Sequence, residues 1–382
     1  MTLSDNTAIL AAAGSKKTDS IIQAVLDTSP TDRVLITTYT IENLEQIRRR
    51  LVQAVGAVPP NVTLMTWFSL LLRDFIKPYQ NYVTDTNRIK SLNFDYWENK
   101  YRRPRTDING YYFDSSSNLR VRNAADFATV VNERSGGKAI CRLEELYDHI
   151  YIDEVQDLAG YDLELLILLF DSAIRVTMVG DPRQCIYLTS LTTKHSKYQK
   201  LGMFRWFEEQ EKRARLRIVR RNTSYRCHQD ICDFADALYP DLTESKTVSG
   251  NSEITGHDGM FQIQPSQVDS YIATFNPVRL QYKKSKEAGR NGAINIGLSK
   301  GSTYDRVLIY PTQQMEKYLR TGNLEHAGDK AKLYVAVTRA RSSVVFVTKP
   351  VGQLRRWEDP QSFDNFLPLF EYERGTPNLL PR

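Results

Sequence analysis

Cysteine is scarce in this chain: Cys141, Cys185, Cys227 and Cys232 are the four in 382 residues. That excludes a disulfide framework. Cys227, His228 and Cys232 lie close together, yet no second ligand pair stands at zinc spacing. The pattern reads as reduced thiols in a cytoplasmic protein. No apolar run approaches the roughly 18 residues of a membrane span. The N-terminus lacks a basic segment followed by a long apolar core, so no secretion signal is expected. Internal repeats and low-complexity tracts are missing as well. Acid is not in excess either: 51 Lys and Arg stand against 45 Asp and Glu, a net charge of +6. That favours a polyanionic partner without requiring one. What remains is an ordinary globular composition, long enough for about two to three domains.

Those domains show in the hydrophobic pattern. "AILAAA" (8–13) reads as a strand feeding a loop, and "TDSIIQAVL" (18–26) as a helix. "DRVLITTY" (32–39) is a second buried strand, followed by an amphipathic helix over 41–55. "NVTLMTW" (61–67) is a third strand, with helical "FSLLLRDFI" after it. Such alternation predicts a parallel sheet flanked by helices. It breaks between about 77 and 136, where an aromatic, basic, turn-rich stretch reads as an insertion with hairpin character. "NG" (109–110) and "DSSSN" (114–118) are its turn signals. Alternation resumes with a strand at 149–153, a helix at 161–170 and a strand at 175–181. A basic connector (194–221) leads to a helix over 224–239 and a polar loop (243–259). Strands are predicted at 260–264, 271–275, 293–297, 306–310 and 343–348, and a helix around 326–341.

Two short stretches carry chemistry. "AAAGSKKT" (Ala11–Thr18) is almost the phosphate-binding pattern G-x-x-x-x-G-K-[ST], with strand, glycine-containing loop and helix in the required order. Lys16 stands where the second glycine belongs. Such loops turn successive N–H groups inward through alternating right- and left-handed residues, so Lys16 is expected in the left-handed region at about 1–2 kcal/mol. The second stretch, "IYIDEVQD" (150–157), is an apolar strand delivering Asp153 and Glu154 at its C-terminal end, where parallel sheets bind ligands. An aspartate there can hold Mg²⁺ and an adjacent glutamate can activate water. Together the two stretches read as a phosphate-hydrolysing site.

With these and six further stretches, the chain resembles the UvrD/Rep/PcrA group of superfamily 1 DNA helicases. "AAAGSKKT" is similar to motif I, "LITTYT" (35–40) to motif Ia and "TWFS" (66–69) to the following DNA-contact motif. "DEVQD" (153–157) resembles motif II, and "VGDPRQCIY" (179–187) motif III. "SYRC" (224–227) resembles motif IV, "GLSKGSTYDRV" (297–307) motif V and "LYVAVTRAR" (333–341) motif VI. The resemblance implies two RecA-like α/β domains around an ATP cleft. The first would span 1–76 and 137–206, interrupted by a small 1B-like insertion at 77–136, and the second 207–382. It implies ATP and Mg²⁺ as cofactors. The loop Ala12, Ala13, Gly14, Ser15, Lys16, Lys17 and Thr18 would bind phosphate, and Tyr225 would stack on adenine. Thr18 and Asp153 would hold the metal. Glu154 would be the general base, Gln184 would sense the γ-phosphate, and Arg226 and Arg339 would be arginine fingers. Thr38, Tyr39, Thr66, Trp67, Phe68, Tyr187, Ser299 and Lys300 would line a nucleic-acid track, with the four aromatic rings as candidates for stacking on bases.

The residues leave alternatives open. The aromatic rings equally suit core packing. Tyr96, Trp97, Lys100, Arg102, Arg103 and Arg105 suit either a strand junction or a solvated face over a local core. Arg213, Arg215, Arg217, Arg220 and Arg221 suit backbone contact for one or two members and solvent for the rest. The chain also departs from the family. Ten residues precede Ala11, which leaves no room for the upstream adenine-reading glutamine. Asp19 stands where an adenine-stacking arginine often follows, and Thr303 replaces a ribose-contacting glutamate. Thr189 and Ser190 replace a Trp-Arg pair. About 70 residues separate motifs IV and V, too few for a large 2B domain. "GSTYD" is similar to the RecD-like branch as well, which moves with opposite polarity. The expected function is ATP-driven 3′→5′ translocation on single-stranded DNA or a single/double-strand junction. The alternative is a nucleic-acid-binding switch, or a recruiting subunit of a defence or repair complex, with slow or lost ATPase. No membrane partner is expected.

Overall fold

The structure, a computed structural model, describes residues 5–85, 88–95, 103–190, 192–282, 292–350 and 354–357. It divides into two compact units, Met1–Ala12 with Lys16–Arg221 and Ala13–Ser15 with Asn222–Arg382.

In the first unit, β1 (Thr7–Ala11) leads into α1 (Lys17–Leu26), β2 (Val34–Thr38) into α2 (Ile41–Val55), and β3 (Val62–Thr66) into α3 (Trp67–Leu70). α2 shows why these bounds hold. The Thr40 side chain accepts from Asn43 N at its start, and Gly56 at φ 82 ends it with N–H to Val52 O. Leu44, Ile47 and Leu51 recur at helical spacing and are the buried side. Beyond α3 the chain winds more loosely through Leu71–Ile76 and then more tightly through Lys77–Tyr82. Next come the two-residue strands β4 (Leu92–Asn93) and β5 (Leu119–Arg120), with α4 (Ile108–Tyr112) between them. α5 (Ala124–Arg134) and α6 (Lys138–Leu146) lead to β6 (His149–Asp153), α7 (Asp162–Phe170) and β7 (Arg175–Gly180). α8 (Gly202–Lys212) and β8 (Arg217–Arg221) close the unit.

The sheet runs β3-β2-β6-β7-β1-β8, and every pairing in it is parallel. Parallel sheets are covered on both faces, so their strands are apolar throughout; β2 is buried at all five positions. One covering layer contains Ile21, Val25, Ile47 and Leu51. The other joins Leu35, Ile150 and Val176 to Phe127, Leu165 and Trp206.

In the second unit, β9 (Thr223–Ser224) pairs with β10 (Val248–Ser249), with α9 (Gln229–Ala237) between them in sequence. A second parallel sheet contains β11 (Gly259–Ile263), β12 (Val278–Gln281), β13 (Ile294–Asn295), β14 (Tyr304–Tyr310), β15 (Ala340–Val347) and β16 (Arg355–Arg356). Its order is β13-β12-β14-β15-β11-β16. α10 (Val268–Phe275), α11 (Gln313–Thr321) and α12 (Lys330–Val337) accompany it. Both units are RecA-like α/β domains, as expected.

Several local readings need correction. Residues 271–275 lie in helix α10, not a strand: Tyr271 is buried and helical spacing fits the segment. "NG" at 109–110 lies inside α4, where the Asp107 side chain caps Gly110 N. "DSSSN" is a true turn, with Asp114 N bonded to Asn118 O and a Phe113–Leu119 antiparallel bridge. Among the described residues the rest of the insertion forms no further hairpin: β4 and β5 pair in parallel, and α5 joins the first unit's core. The basic connector folds as α8 and β8. Because β8 pairs with β1, the division falls after Arg221 rather than after residue 206.

Among the described residues no helix is long and apolar enough to cross a membrane, and no group of three or more metal-ligating side chains is present. The four cysteines are free thiols.

Candidate nucleotide and nucleic-acid sites

β1 delivers the phosphate-loop stretch, and α1 starts at Lys17, where the Lys16 side chain makes no capping bond among the described residues. Helix N-termini of this kind present N–H groups to anions. Lys16 has φ 58 and ψ 38, the left-handed conformation expected of it, and its side chain is exposed. Gly14 is also left-handed, at φ 77. Lys17 Nζ donates to Ala11 O at 3.3 Å and Ala12 O at 3.4 Å. Thr18 Oγ1 donates to Asp153 Oδ2 at 3.1 Å, so motifs I and II meet across the sheet. Ala12, Ala13 and Ser15 are buried.

Burial, and then the neighbouring Glu154, push the Asp153 carboxyl up to about 6, while Lys17 works against them. A buried carboxylate beside a second carboxylate and a hydroxyl is a hard-oxygen donor set short of positive charge. That suits Mg²⁺, which takes one or two protein oxygens and completes its shell with water and phosphate. The residues therefore fit the ion.

Glu154 occupies left-handed backbone at φ 56, and its N–H bonds Asp153 Oδ1 at 3.0 Å. Gln156, fully buried, donates to the Glu154 carboxylate and accepts from Asp181 N at 3.0 Å. Gly180 makes this approach possible, because a Cβ there would sit 2.3 Å from Gln156 Oε1. Asp181 accepts from Gln184 Nε2 at 3.1 Å and Arg183 Nε at 2.8 Å. Burial opposes its ionisation, but Arg183 and Lys17 outweigh burial and hold its carboxyl below the usual range. Glu154, Gln156, Asp181 and Gln184 thus form one polar relay. Sequence reading named its two ends; the "Q" and "D" within motifs II and III were the signal for its middle.

In the second unit, Arg226 Nη1 donates to Thr338 O at 3.0 Å. Arg339 is buried and donates from Nε to Val335 O at 3.2 Å and from Nη1 to Ser302 O at 3.1 Å. Both guanidiniums therefore gather at the C-terminal end of α12. Tyr225 is 53% exposed.

The nucleic-acid candidates divide. Thr38 is buried and its hydroxyl finds no hydrogen-bond partner among the described residues. Thr66 caps α3, its side chain accepting from Ser69 N. Tyr39 is half-buried and Tyr187 is 39% exposed. Trp67 and Phe68 require correction, since both rings face the core at 1% and 4% exposure. Trp67 is held there because its indole N–H finds a buried acceptor, donating to Asp162 Oδ1 at 2.7 Å. Phe68 instead packs edge-on between Tyr39 at 5.7 Å and Phe94 at 6.0 Å. Phe94 is 60% exposed and was missed; its place between two turn-rich stretches hid it. Ser299 is buried and bonds Ile296 O, whereas Lys300 lies at the half-exposed edge of the same loop.

Four of the nine basic candidates have partners within the protein. Arg105 pairs with Asp126 at 2.6 Å and lies over the Tyr161 ring. Arg215 pairs with Asp171, Arg220 with Glu208, and Arg217 bonds Thr7 Oγ1. Arg103 is exposed. Tyr96, Trp97, Lys100 and Arg102 lie outside the described residues.

Residues 65–189 match the UvrD/REP helicase N-terminal domain, and residues 132–348, more than half of the chain, match the viral superfamily 1 RNA helicase core domain. No curated protein matches the sequence. Among solved structures, the chain is similar to the Arterivirus nonstructural protein 10 helicase at 14% identity, covering 96% of this chain and 62% of that one, with a TM-score of 0.46. The complex of that helicase with DNA gives 14% identity, 90% and 61% coverage and a TM-score of 0.44. The chain thus spans about three fifths of the length of these solved helicases.

Proposed function

The chain belongs to the superfamily 1 helicases, and from that premise we propose that it couples Mg-ATP hydrolysis to 3′→5′ movement along single-stranded DNA. The observation that carries this reading is the meeting of Thr18 Oγ1 and Asp153 Oδ2 at 3.1 Å, beside the relay from Glu154 to Gln184. This proximity supports reading Thr18 and Asp153 as metal-holding oxygens, Glu154 as a base and Gln184 as a phosphate sensor.

Lys17 Nζ and the first-turn N–H groups of α1 bind the β- and γ-phosphates. Thr18 and Asp153 would hold Mg²⁺, which supplies charge neutralisation on the phosphate oxygens. A Glu154 carboxylate oxygen accepts the proton of the attacking water. Gln184 orients toward the γ-phosphate, and its bond to Asp181 links that orientation to Glu154. Arg226 and Arg339 stabilise charge developing in the transition state, and Tyr225 stacks on the base. Hydrolysis then drives closure and opening of the two units on the strand. Tyr39, Tyr187 and Phe94 offer rings to bases, and Thr66 and Lys300 contact the backbone.

The longer family match is to an RNA helicase core, so RNA is the second substrate to try. The test is ATP turnover with Mg²⁺ and either single-stranded DNA or single-stranded RNA. Stimulation by DNA is expected. Glu154→Gln should keep ATP and strand binding and slow turnover by about 10²–10⁴-fold, the usual contribution of a general base. Hydrolysis at the parent rate in that variant would remove Glu154 from its role. Strand binding by the parent without any turnover would instead favour the switch or recruiting subunit.

A further inference from the structure

Thr189 stands where the resemblance led us to expect a DNA-contacting Trp-Arg pair, and Trp67 proved to be a core residue. The structure brings the two together on a third side chain. Asp162, at the start of α7, is 1% exposed. Its Oδ1 accepts from Trp67 Nε1 at 2.7 Å. Its Oδ2 accepts from Ala159 N at 3.2 Å and from the Thr189 hydroxyl. Thr189 Oγ1 in turn accepts from Ala159 N at 2.9 Å, and Thr189 N donates to Asp157 O at 2.9 Å. Thr189 and Trp67 are each 1% exposed.

Three segments therefore converge on one carboxylate: the loop after Asp153 and Glu154, the loop that carries Gln184 and Tyr187, and the start of α3 beside Thr66. Gly160 keeps the first two close, since a Cβ there would lie 2.3 Å from Thr192 Cγ2. Buried polar networks of this kind stay in place only when every member is satisfied, and removing one partner leaves the others to rearrange.

We infer that Asp162 is a positioning residue that couples strand binding to nucleotide hydrolysis, through Thr189 to the Gln184 loop and through Trp67 to α3. This rests on the proposed function. Asp162 touches neither substrate. It fixes the distance between a segment that faces the strand and one that faces the γ-phosphate, so a strand that orders one orders the other. The apolar remainder of the site cannot do this, because hydrophobic contacts have no direction and hydrogen bonds do.

The experiment uses the full chain and three variants. Thr189→Val keeps the shape and removes the hydroxyl. Asp162→Asn puts an amide nitrogen where Oδ2 now meets two donors. Thr189→Ser keeps the hydroxyl and serves as the rescue. ATP turnover is measured against increasing single-stranded DNA, and amide hydrogen exchange is followed at 157–162 and 185–190. Thr189→Val and Asp162→Asn are expected to keep the strand-free rate while the strand-stimulated maximum falls about tenfold, within the range of coupling between sites. Exchange should rise in both segments together, and Thr189→Ser should behave like the parent. Full stimulation in both variants would overturn the inference, as would faster exchange in one segment alone. A parent that shows no turnover on any strand would sink the proposed function instead. The exchange data would still decide whether Asp162 ties the two loops. A variant that fails to fold leaves the comparison of the other with Thr189→Ser to decide.

Discussion

Lys16 at φ 58 and Glu154 at φ 56 hold left-handed backbone without being glycine, and they sit after β1 and β6, in the two stretches proposed to bind phosphate. Such residues cost about 1–2 kcal/mol each and persist at functional sites. Lys16→Gly would relieve that strain but give the unfolded chain about 0.4–1 kcal/mol of extra freedom. The net gain should lie between about 0 and 1.6 kcal/mol, with ATPase retained or raised. Lys16→Val should lose more than the parent strain, because a β-branched side chain is worse still in this region. Thermal melts of the two variants check this: equal melting temperatures would mean that position 16 is not strained. Lys17→Ala should abolish turnover in either background. A second residue-scale prediction concerns Phe94, whose exposed ring rests edge-on against Phe68. Phe94→Ala should weaken single-stranded DNA binding by about 1–3 kcal/mol, the worth of one stacked base. Trp67→Phe should leave that affinity unchanged, and fluorescence titration with a labelled oligonucleotide separates the two.

Among the elements, α5 decides how the insertion behaves. A separate 1B-like module would melt by itself. Phe127, fully buried, lies 4.8 Å from the Tyr112 ring and 5.2 Å from Phe113, and the same core continues to Leu165 and Val176. Phe127→Ala should therefore cost the first unit about 3–5 kcal/mol. Amide exchange should then rise in β6 and β7 as well as in α5; a rise confined to 108–134 would show an independent module. Here the sequence was least legible. Strands β1, β2, β3, β6 and β7 stood out because parallel strands are apolar throughout, and α2 because its stripe and caps agree. The insertion did not, because "NG" marks a turn only when no capping residue precedes it, and Asp107 does. The site was legible where motif residues are contiguous, as at Lys17, Thr18, Asp153 and Glu154. It was not at Asp162 or Phe94, whose partners lie far away in sequence. Trp67 and Phe68 misled for the same reason: an aromatic pair beside a motif looks alike whether it meets a base or a buried carboxylate.

For the whole molecule, acid provides a way to address each unit separately. His149 in the first and His257 in the second are both held at about 4, chiefly by burial and secondly by Arg175 and Arg306 respectively. His257 is 6% exposed, lies between the Phe261 and Phe275 rings at 4.0 and 4.1 Å, and bonds Tyr271 Oη at 2.8 Å. Since the folded value lies below the unfolded 6.5, the unfolded chain takes up the proton first as pH falls. The stability each neutral histidine contributes is complete above pH 6.5 and is lost on the way down to about 4. At about 1.4 kcal/mol per pH unit this comes to roughly 3 kcal/mol for each. Asp153 and Asp162 act in the opposite sense in the first unit. Both are raised to about 6, first by burial, so what they contribute is present below the unfolded value of 3.8 and is lost as pH rises through 6. The second unit should therefore soften in mild acid more than the first. His257→Phe keeps a ring in the stack and removes the titration. Urea unfolding of parent and variant between pH 7 and 4, followed by exchange in each unit, should show the second unit's pH slope flattened and the first unit's untouched. An unchanged slope in β11 and α10 would mean that His257 is already charged in the folded chain.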